Sequence, residues 1–249
     1  MSKTIIRIEN LKREFTVGEM TVRALKGVSF EIKQGEFVTI MGASGSGKST
    51  MLNILGCLDQ ASSGIYEIDG QLVRDMSRNQ LADIRNKKIG FIFQAYNLLP
   101  RTTAIENVEL PLFYNRNITA EERRERAIAA LKMVGLENRM DHTPNQLSGG
   151  QQQRVAIARS LVNDPVVILA DEATGNLDTR TSYEIMDLFQ ELNAKGKTIA
   201  FVTHEPDIAT FSSRTIVLRD GHVIKDEKVE NRASAHEALM ALPIEDDYQ

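Results

Sequence analysis

The sequence contains one cysteine, and it has no long apolar run among its 249 residues. A lone cysteine, Cys57, cannot form an internal disulfide, which excludes the class of small secreted domains held together by disulfides. The longest apolar runs, such as Val166 to Ala170, have the length of a strand, whereas a membrane helix needs roughly 20 residues. The opening residues MSKTIIRIENLKREF mix charges into their apolar positions and lack the hydrophobic stretch of a signal peptide. These absences predict a cytoplasmic chain in which Cys57 is a small core residue.

Excess charge of either sign is also scarce. The formal net charge is −4, and the 225–249 segment carries all of it, with seven acidic and three basic residues. Nucleic-acid binding needs a basic face, so we expect no nucleic-acid partner. We interpret residues 225–249 as an acidic C-terminal tail, in which a short helix near Ala233 to Leu242 is followed by a solvated end.

Strand patterns are present toward both ends of the sequence. The early segments IIRIENL, TVRALKGVSFEI and GEFVTIMG predict a small antiparallel sheet. Later, VVILADE and TIAFVTHE predict buried strands, and the helical pattern SYEIMDLFQELNAKG between them is typical of a parallel α/β sheet. In TIVLRDGHVIKDE, the pair Asp220 and Gly221 between β-rich flanks predicts a hairpin.

The middle of the sequence has a helical pattern instead. Thr119 and Glu122 are spaced as a capping box at the start of ITAEERRERAIAALKMVGL, and Gly135 is placed to end that helix. The helical pattern then continues to the proline before VVILADE. We therefore predict one α/β domain over residues 1–249, with a mixed or parallel sheet core, an N-terminal antiparallel β subdomain and a helical subdomain at about 95–163.

One glycine-rich stretch, GASGSGKST at residues 42–50, matches the pattern G-x-x-x-x-G-K-[ST]. Small residues let several consecutive backbone N–H groups point at phosphate oxygens, and the apolar EFVTIM before it predicts the strand that this motif requires. Lys48 adds a positive charge for the β and γ phosphates, and Ser49 can place its hydroxyl on Mg²⁺. The predicted phosphate-binding residues are Gly42, Ala43, Ser44, Gly45, Ser46, Gly47, Lys48, Ser49 and Thr50.

The stretch VVILADE supplies the carboxylates that a triphosphate and Mg²⁺ also need. Asp171 lies at the predicted end of a strand, where it can hold the metal through water, and Glu172 is the candidate base for the attacking water. An acidic pair after a strand is ordinary by itself. Its functional interpretation depends on the phosphate loop, and the two stretches together predict hydrolysis.

Four shorter stretches follow in the order GFIFQ, ending at Gln94, LSGGQ at 147–151, GNLD, ending at Asp178, and FVTHE, which contains His204. Each is weak alone, but with the phosphate loop and VVILADE they make six motifs in register. Over about residues 5–225 the chain resembles the nucleotide-binding subunit of ABC transporters, whose signature motif LSGGQ matches letter for letter. The resemblance implies a P-loop cassette that binds ATP and Mg²⁺ and hydrolyses ATP.

The resemblance also implies a role for each motif residue. Gln94 would touch Mg²⁺ and the attacking water, Glu172 would polarise that water, and His204 would contact the γ-phosphate. Asp178 would couple two protomers. The implied catalytic residues are Lys48, Gln94, Glu172 and His204, and the implied metal-binding residues are Ser49, Gln94 and Asp171.

Two positions beside these motifs bear on specificity and backbone freedom. Phe15 resembles the aromatic residue that stacks on adenine, often a tyrosine in this family, so base specificity is expected to be loose. The alternative is an ordinary core phenylalanine. Ala173 stands where the family usually has proline, which allows slightly more backbone freedom beside Glu172 and leaves its carboxylate intact.

The signature stretch is a second glycine-rich helix start in a chain that already has a phosphate loop. The helix that it opens can turn Val155 and Ala158 toward the core, which leaves its N-terminal amides free to face another anion. The resemblance implies that Ser148, Gly149, Gly150 and Gln151 cover the γ-phosphate held by a second protomer. Each ATP is then clamped between two chains of an isologous, ATP-dependent homodimer.

Within the family, FQAYNLLPRTTAIENVELPL resembles the branch that includes the macrolide exporter MacB, the lipoprotein-release ATPase LolD and the division ATPase FtsE. This resemblance implies an integral membrane permease subunit of MacB or FtsX type and a location on the inner face of the cell membrane. Tyr96, Leu98 and Leu99 would line the groove that receives a cytoplasmic helix of that permease. The alternative is a local core of the helical subdomain.

Two other functions compete with this interpretation. A soluble ABC ATPase acting on DNA or ribosomes typically carries either long coiled coils or two cassettes, whereas this chain has one cassette and no sustained heptads. A P-loop kinase for small molecules would explain the phosphate loop and leave LSGGQ and His204 unexplained. ATP turnover with no added acceptor distinguishes the kinase from the ATPase.

Overall fold

The computed structural model describes residues 2–115 and 117–243. The strands are β1 (Thr4–Val17), β2 (Met20–Lys33), β3 (Phe37–Met41), β4 (Ser63–Ile68), β5 (Gln71–Leu72), β6 (Ile89–Phe93), β7 (Val167–Asp171), β8 (Ile199–Thr203), β9 (Arg214–Arg219) and β10 (His222–Lys228). The α-helices are α1 (Lys48–Leu55), α2 (Arg78–Lys88), α3 (Ala104–Glu109), α4 (Ala120–Met133), α5 (Gly149–Leu161), α6 (Thr179–Ala194), α7 (Pro206–Ala209) and α8 (Ala235–Met240). Short 3-10 turns lie at Leu110–Tyr114, Glu137–Arg139 and Pro144–Gln146.

A six-stranded mixed sheet forms the centre of the domain, in the order β10-β9-β3-β8-β7-β6. β3 is parallel to β8 and β9, and β7 is parallel to β6 and β8, so the carboxyl ends of these strands lie along one edge. β10 pairs antiparallel with β9 through Arg219 and His222, and Asp220 and Gly221 between them form the predicted hairpin. The mixed sheet of the predicted fold class is therefore confirmed.

The N-terminal antiparallel sheet is also present, with the order β2-β1-β4-β5. One part of its prediction is wrong, because GEFVTIMG contributes β3 to the central sheet instead. The reason is burial on both faces. Phe37, Val38, Thr39 and Ile40 are all fully buried, a pattern typical of an interior parallel strand.

Two hydrophobic cores lie on opposite faces of the central sheet. Phe37, Ile168 and Phe201 point into the core formed with the helices of the middle segment and α6. Their strand neighbours Val38 and Leu169 point into the core shared with α1 and the N-terminal sheet. This alternation follows from the two-residue period of a strand. Cys57 lies in the second core with 2% of its surface exposed, so its prediction as a core residue is confirmed.

The helical middle segment is less continuous than its pattern predicts. Thr119 caps α4 by accepting a hydrogen bond from the backbone of Glu122 at 3.1 Å, and Gly135, with a φ of 73°, follows the end of that helix. Only half of the capping box forms, because the Glu122 carboxylate pairs with Arg126 four residues on. Between α4 and α5 the chain makes two 3-10 turns rather than a helix.

The C-terminal part of the chain returns to the helical side of the domain. α8 lies within the predicted range Ala233 to Leu242 and packs on α6 through the fully buried Ala235. The end of the predicted acidic tail, residues 244–249, lies outside the described residues. None of the helices in the described ranges has the length and apolar character that a membrane span requires.

Candidate functional site

The phosphate loop, residues 42–50, connects β3 to α1 and depends on its glycines for its path. A Cβ on Gly42 would lie 2.3 Å from the carbonyl oxygen of Leu218. One on Gly47, where φ is 105°, would lie 2.8 Å from the carbonyl oxygen of Ala24. Only glycine fits both positions, so the loop can curl with its amides turned inward at the start of α1.

Lys48 is fixed at the mouth of this loop. Its Nζ donates hydrogen bonds to the carbonyl oxygens of Gly42 at 2.7 Å and Ala43 at 3.0 Å, and only 9% of the residue is exposed. The Ser46 hydroxyl is buried beneath the loop with no partner among the described residues. The loop therefore holds a positive charge and an unpaired polar group where the motif predicts phosphate.

A cavity of about 660 Å³ opens beside the loop, and most of the predicted site residues line it. Its lining includes the carboxyl-end residues of the central sheet, Asp171, Glu172 and His204. The loop and N-terminal sheet supply the remaining lining residues Val22, Arg23, Ala24, Ala43, Ser44, Gly45, Gly47, Lys48, Ser49 and Thr50, together with Val202. Gly42 and Ser46 support the loop from beneath. The structure thus brings residues that are more than 100 positions apart in the chain around one space.

The two carboxylates of this cavity differ in environment. Burial raises the pKa of Asp171 above its ordinary value, the neighbouring Glu172 adds to the rise, and Lys48 opposes it. Glu172 has a left-handed backbone with a φ of 45°, and its Oε1 lies 2.9 Å from Nδ1 of His204. Its amide donates to the carbonyl oxygen of Val202, which ties the turn after β7 to β8.

These residues fit Mg·ATP as a ligand. The glycine cradle and Lys48 suit phosphate oxygens, and the half-buried Asp171 and the Ser49 hydroxyl are oxygen donors of the kind that Mg²⁺ prefers. No cluster of three or more His, Cys, Asp or Glu side chains suited to a metal occurs within residues 2–115 and 117–243.

Gln94, which directly follows β6, does not line the cavity. Its side-chain Nε2 donates to Oδ1 of Asn176 at 3.3 Å, and Nδ2 of Asn176 donates back to the Gln94 carbonyl oxygen at 3.1 Å. The glutamine amide is therefore held on the turn of residues 172–177.

The signature residues also lie outside this cavity. Ser148 is the exposed N-cap of α5 and forms a complete capping box with Gln151. Gly149 is half-buried, and Gly150 packs so closely on Thr181 that a Cβ would lie 2.4 Å from its methyl group. The start of α5 thus presents its first amides to the surface, away from the phosphate loop of its own chain.

Asp178 already has partners within its own chain. It caps α6 by accepting hydrogen bonds from the hydroxyl and the backbone amide of Thr181, which lower its pKa. Phe15 is half-buried outside the cavity lining, but it pairs across the N-terminal sheet with Val22, which lines the cavity. One face of its ring is covered by the Arg13 guanidinium at 4.4 Å.

A second cavity of about 660 Å³ is a groove between the central sheet and the helical segment. Tyr96, Leu98 and Leu99 are not among the residues that line this groove, and their contact with a permease helix stays a prediction. Leu98 packs on the helical core, and the Tyr96 hydroxyl points to the start of α5. The groove is lined instead by Leu58, Ala82, Asp83, Arg85, Asn86, Ile89, Gly90, Phe91, Phe93, Asn97, Leu110, Pro111, Tyr114, Arg159, Ser160 and Asn163.

Three residues that link the motifs are absent from the sequence prediction. Asn176 holds Gln94, and Arg159 donates to the carbonyl oxygens of Tyr96 at 2.8 Å and Asn97 at 2.5 Å. The fully buried Gln153 donates from α5 to the carbonyl oxygen of Ala173 at 2.7 Å. Asn176 and Gln153 stand inside or beside the motifs, but their partners are defined by the fold alone.

Comparison with known proteins agrees with this geometry. Residues 25–175 match the family model described as ABC transporter. An ABC transporter ATP-binding protein of Thermotoga maritima is 53% identical over 230 residues, which cover 92% of this chain and 97% of that protein. The macrolide export ATP-binding/permease protein MacB of Chlorobium phaeobacteroides is 53% identical over 224 residues, covering 90% of this chain and 34% of MacB.

Solved structures give the same result at the level of the fold. The dimeric structure of MJ0796, an ABC transporter cassette of Methanocaldococcus jannaschii, has a TM-score of 0.82 at 51% identity and covers 91% of this chain and 99% of that one. A post-hydrolysis structure of MJ0796 with ADP and Pi is equally similar. The kinase and the nucleic-acid or ribosome alternatives are not favoured. Since the agreement extends over nine-tenths of the chain in both sequence and fold, the chain belongs to the ABC transporter family and is one of its ATP-hydrolysing cassettes.

Proposed function

We propose that this cassette is the motor subunit of a MacB-type membrane transporter, closing as a homodimer on two ATP and opening after hydrolysis. The observation that carries the proposal is a division within each chain. The phosphate loop, Asp171, Glu172 and His204 surround one cavity, whereas the exposed start of α5 lies outside it. An ATP bound in that cavity is therefore covered on one side only by its own chain.

In this mechanism the phosphate loop and Lys48 would hold the triphosphate, and Ser49 and Asp171 would hold Mg²⁺, whose positive charge would stabilise the phosphate oxygens of the transition state. Glu172 accepts the proton of the attacking water, and its 2.9 Å contact with His204 orients both side chains toward the γ-phosphate. Gln94 would complete the site once its side chain turned from Asn176 toward the cavity.

The second chain supplies the missing side of the site. Its Ser148 hydroxyl and the amides of Gly149 and Gly150 face the γ-phosphate, at the positive end of α5. Gln151 keeps the helix start in shape through its capping box. The contact between protomers also brings the turn before α6, with Asp178 at its end, against the partner. A structure of the relative MJ0796 is described as dimeric, which supports this arrangement.

The partner in the membrane is a permease subunit of MacB or FtsX type. The relative MacB is named as an ATP-binding and permease protein, and this chain spans about a third of its length. We place the docking site in the groove beside residues 96–99, where the exposed Tyr114 and Leu58 offer apolar contact to a permease helix. The cassette then lies on the inner face of the cell membrane.

Purification with the membrane partner tests the proposal. The cassette should hydrolyse ATP with no added phosphate acceptor, and Lys48→Ala should abolish this activity. In detergent, it should copurify with a membrane protein that has four spans and a large external domain. Copurification with a six-span permease lacking such a domain would contradict the MacB-type assignment and leave the ATPase intact.

A further inference from the structure

Gln94 and Asn176 are joined by two hydrogen bonds, of which one involves the side-chain amide of Gln94 and the other its main-chain carbonyl. Nε2 of Gln94 donates to Oδ1 of Asn176 at 3.3 Å, and Nδ2 of Asn176 donates to the Gln94 carbonyl oxygen at 3.1 Å. The two residues are 82 positions apart in the chain. Because Gln94 is absent from the cavity lining, this pair keeps its amide away from the ATP site.

The turn that carries Asn176 is shaped to receive the glutamine. A Cβ on Gly175 would lie 2.7 Å from Nε2 of Gln94, so any other residue would displace the amide. The amide of Gly175 donates to the carbonyl oxygen of Glu172 at 2.9 Å. The glutamine therefore lies on the same turn that positions the predicted general base.

The chain beyond Gln94 is anchored, which leaves the side chain as the part that can move. Arg159 on α5 donates to the carbonyl oxygens of Tyr96 and Asn97, both of which have left-handed backbones. Asn176 and Gly175 themselves are exposed, next to the start of α6. A second copy of the chain can therefore reach Asn176 without disturbing the core.

We propose that Asn176 is a positioning residue that keeps Gln94 out of the ATP cavity until a second copy contacts the 172–177 turn. This inference rests on the proposed function, in which Gln94 acts at the metal. A chain that binds Mg·ATP alone must break the hydrogen bond from Nε2 of Gln94 to Asn176 to bring the amide in, whereas the bond to the main-chain carbonyl can stay. When the partner contacts the exposed turn, it engages Asn176 in place of Gln94, and the glutamine is released. Completion of the metal site therefore depends on dimer closure.

The test measures the affinity of single chains for ATP with Mg²⁺ and with EDTA. The Ser148→Arg background, checked for monomeric mass, keeps ATP on single chains. Asn176→Ala should raise the ratio of the Kd in EDTA to the Kd in Mg²⁺ by about two- to tenfold, since one hydrogen bond no longer opposes the movement of the Gln94 amide. Asn176→Ser, too short to reach Nε2 of Gln94, should do the same, and the exposed Asn231→Ala is the matched control with no change.

A double-mutant cycle with Gln94→Ala separates this inference from its premise. Gln94→Ala alone should leave the ratio nearly unchanged, because Asn176 already holds the amide away from the cavity in single chains, and it should cancel the rise that Asn176→Ala causes. An unchanged ratio in Asn176→Ala, or an equal rise with and without Gln94, would overturn the inference and leave the ATPase assignment standing. If Gln94→Ala in the otherwise unaltered chain leaves ATP turnover unchanged, the role of Gln94 at the metal is wrong and the inference fails with it.

Discussion

At the scale of single residues, the ATP cavity contains a carboxylate whose ionised form is unfavourable without a bound cation. Asp171 has a raised pKa in the folded chain, so its ionised form costs folding free energy at neutral pH. Carboxylates that cost stability in this way are common where a protein prepares to bind a cation.

Asp171→Asn should therefore raise the free energy of unfolding at pH 7 without nucleotide. The gain should disappear as the pH falls below 3.8, the ordinary value for Asp, because the carboxyl is then protonated in both folded and unfolded chains. Urea unfolding across this pH range measures the change in the free energy of unfolding. Asp178→Asn is the control, for which the free energy of unfolding should change in the opposite direction. Hydrogen bonds lower the pKa of Asp178, so loss of its carboxylate should destabilise the chain at pH 7.

Ala173→Pro should stabilise the chain by about 0.4–1 kcal/mol, because proline restricts the unfolded chain. Ala173 is 2% exposed, its φ is outside the left-handed region, and its amide has no acceptor among the described residues. Its carbonyl oxygen would still accept from Gln153. Chemical denaturation provides the measurement, provided that the denaturant dependence of the unfolding free energy is the same for both chains. A lower unfolding midpoint would contradict the prediction and show that the turn needs alanine, with its N–H, at position 173.

Phe15→Ala should weaken ATP binding by about 1–3 kcal/mol through the loss of adenine stacking. Affinity for inorganic tripolyphosphate should not change, since the phosphate loop is separate from the ring. Calorimetric titration with both ligands provides the comparison. Phe113→Ala is the control, because Phe113 is likewise a ring beneath an arginine, Arg123 at 4.7 Å, although it is more exposed than the half-buried Phe15. Equal losses for ATP and tripolyphosphate would identify Phe15 as a structural residue.

At the scale of elements, the start of α5 lies outside the ATP cavity of its own chain. Ser148→Arg should abolish ATP turnover and leave ATP affinity of single chains nearly unchanged, because residues 148–151 do not line the cavity. Turnover and nucleotide titration together measure this separation. Ser77→Arg at the start of α2 is the control, since it removes an equivalent capping box and should retain turnover. Parallel loss of binding and turnover in Ser148→Arg would contradict the assignment.

Sequence predicts these elements well where one local pattern determines them. The phosphate loop, the acidic end of β7 and the hairpin at Asp220 each follow from spacing and residue type. The sheet to which β3 belongs does not follow from its pattern, because a short apolar run fits either sheet and burial on both faces decides between them. The rest of the site depends on contacts between distant segments. The position of Gln94 is fixed by Asn176, 82 residues away, and no local pattern encodes that contact.

At the scale of the whole molecule, two cores on opposite faces of one sheet support two separate functional surfaces. The N-terminal core holds the phosphate loop and α1, and the helical core holds α5 and its exposed start. The turn of residues 172–177 connects them, through Glu172 on one side and through Gln153 on α5 on the other. In the proposed isologous dimer, closure around ATP would bring the phosphate loop of each chain against the start of α5 of its partner.

The mass of the Glu172→Gln variant in solution tests this account most directly. Without the general base, ATP should remain intact and hold the two chains together. In size-exclusion chromatography with light scattering, we predict the monomer mass without nucleotide and twice that mass with saturating Mg·ATP. A variant that stays monomeric with saturating Mg·ATP, both alone and with its membrane partner, would contradict the ATP-closed dimer.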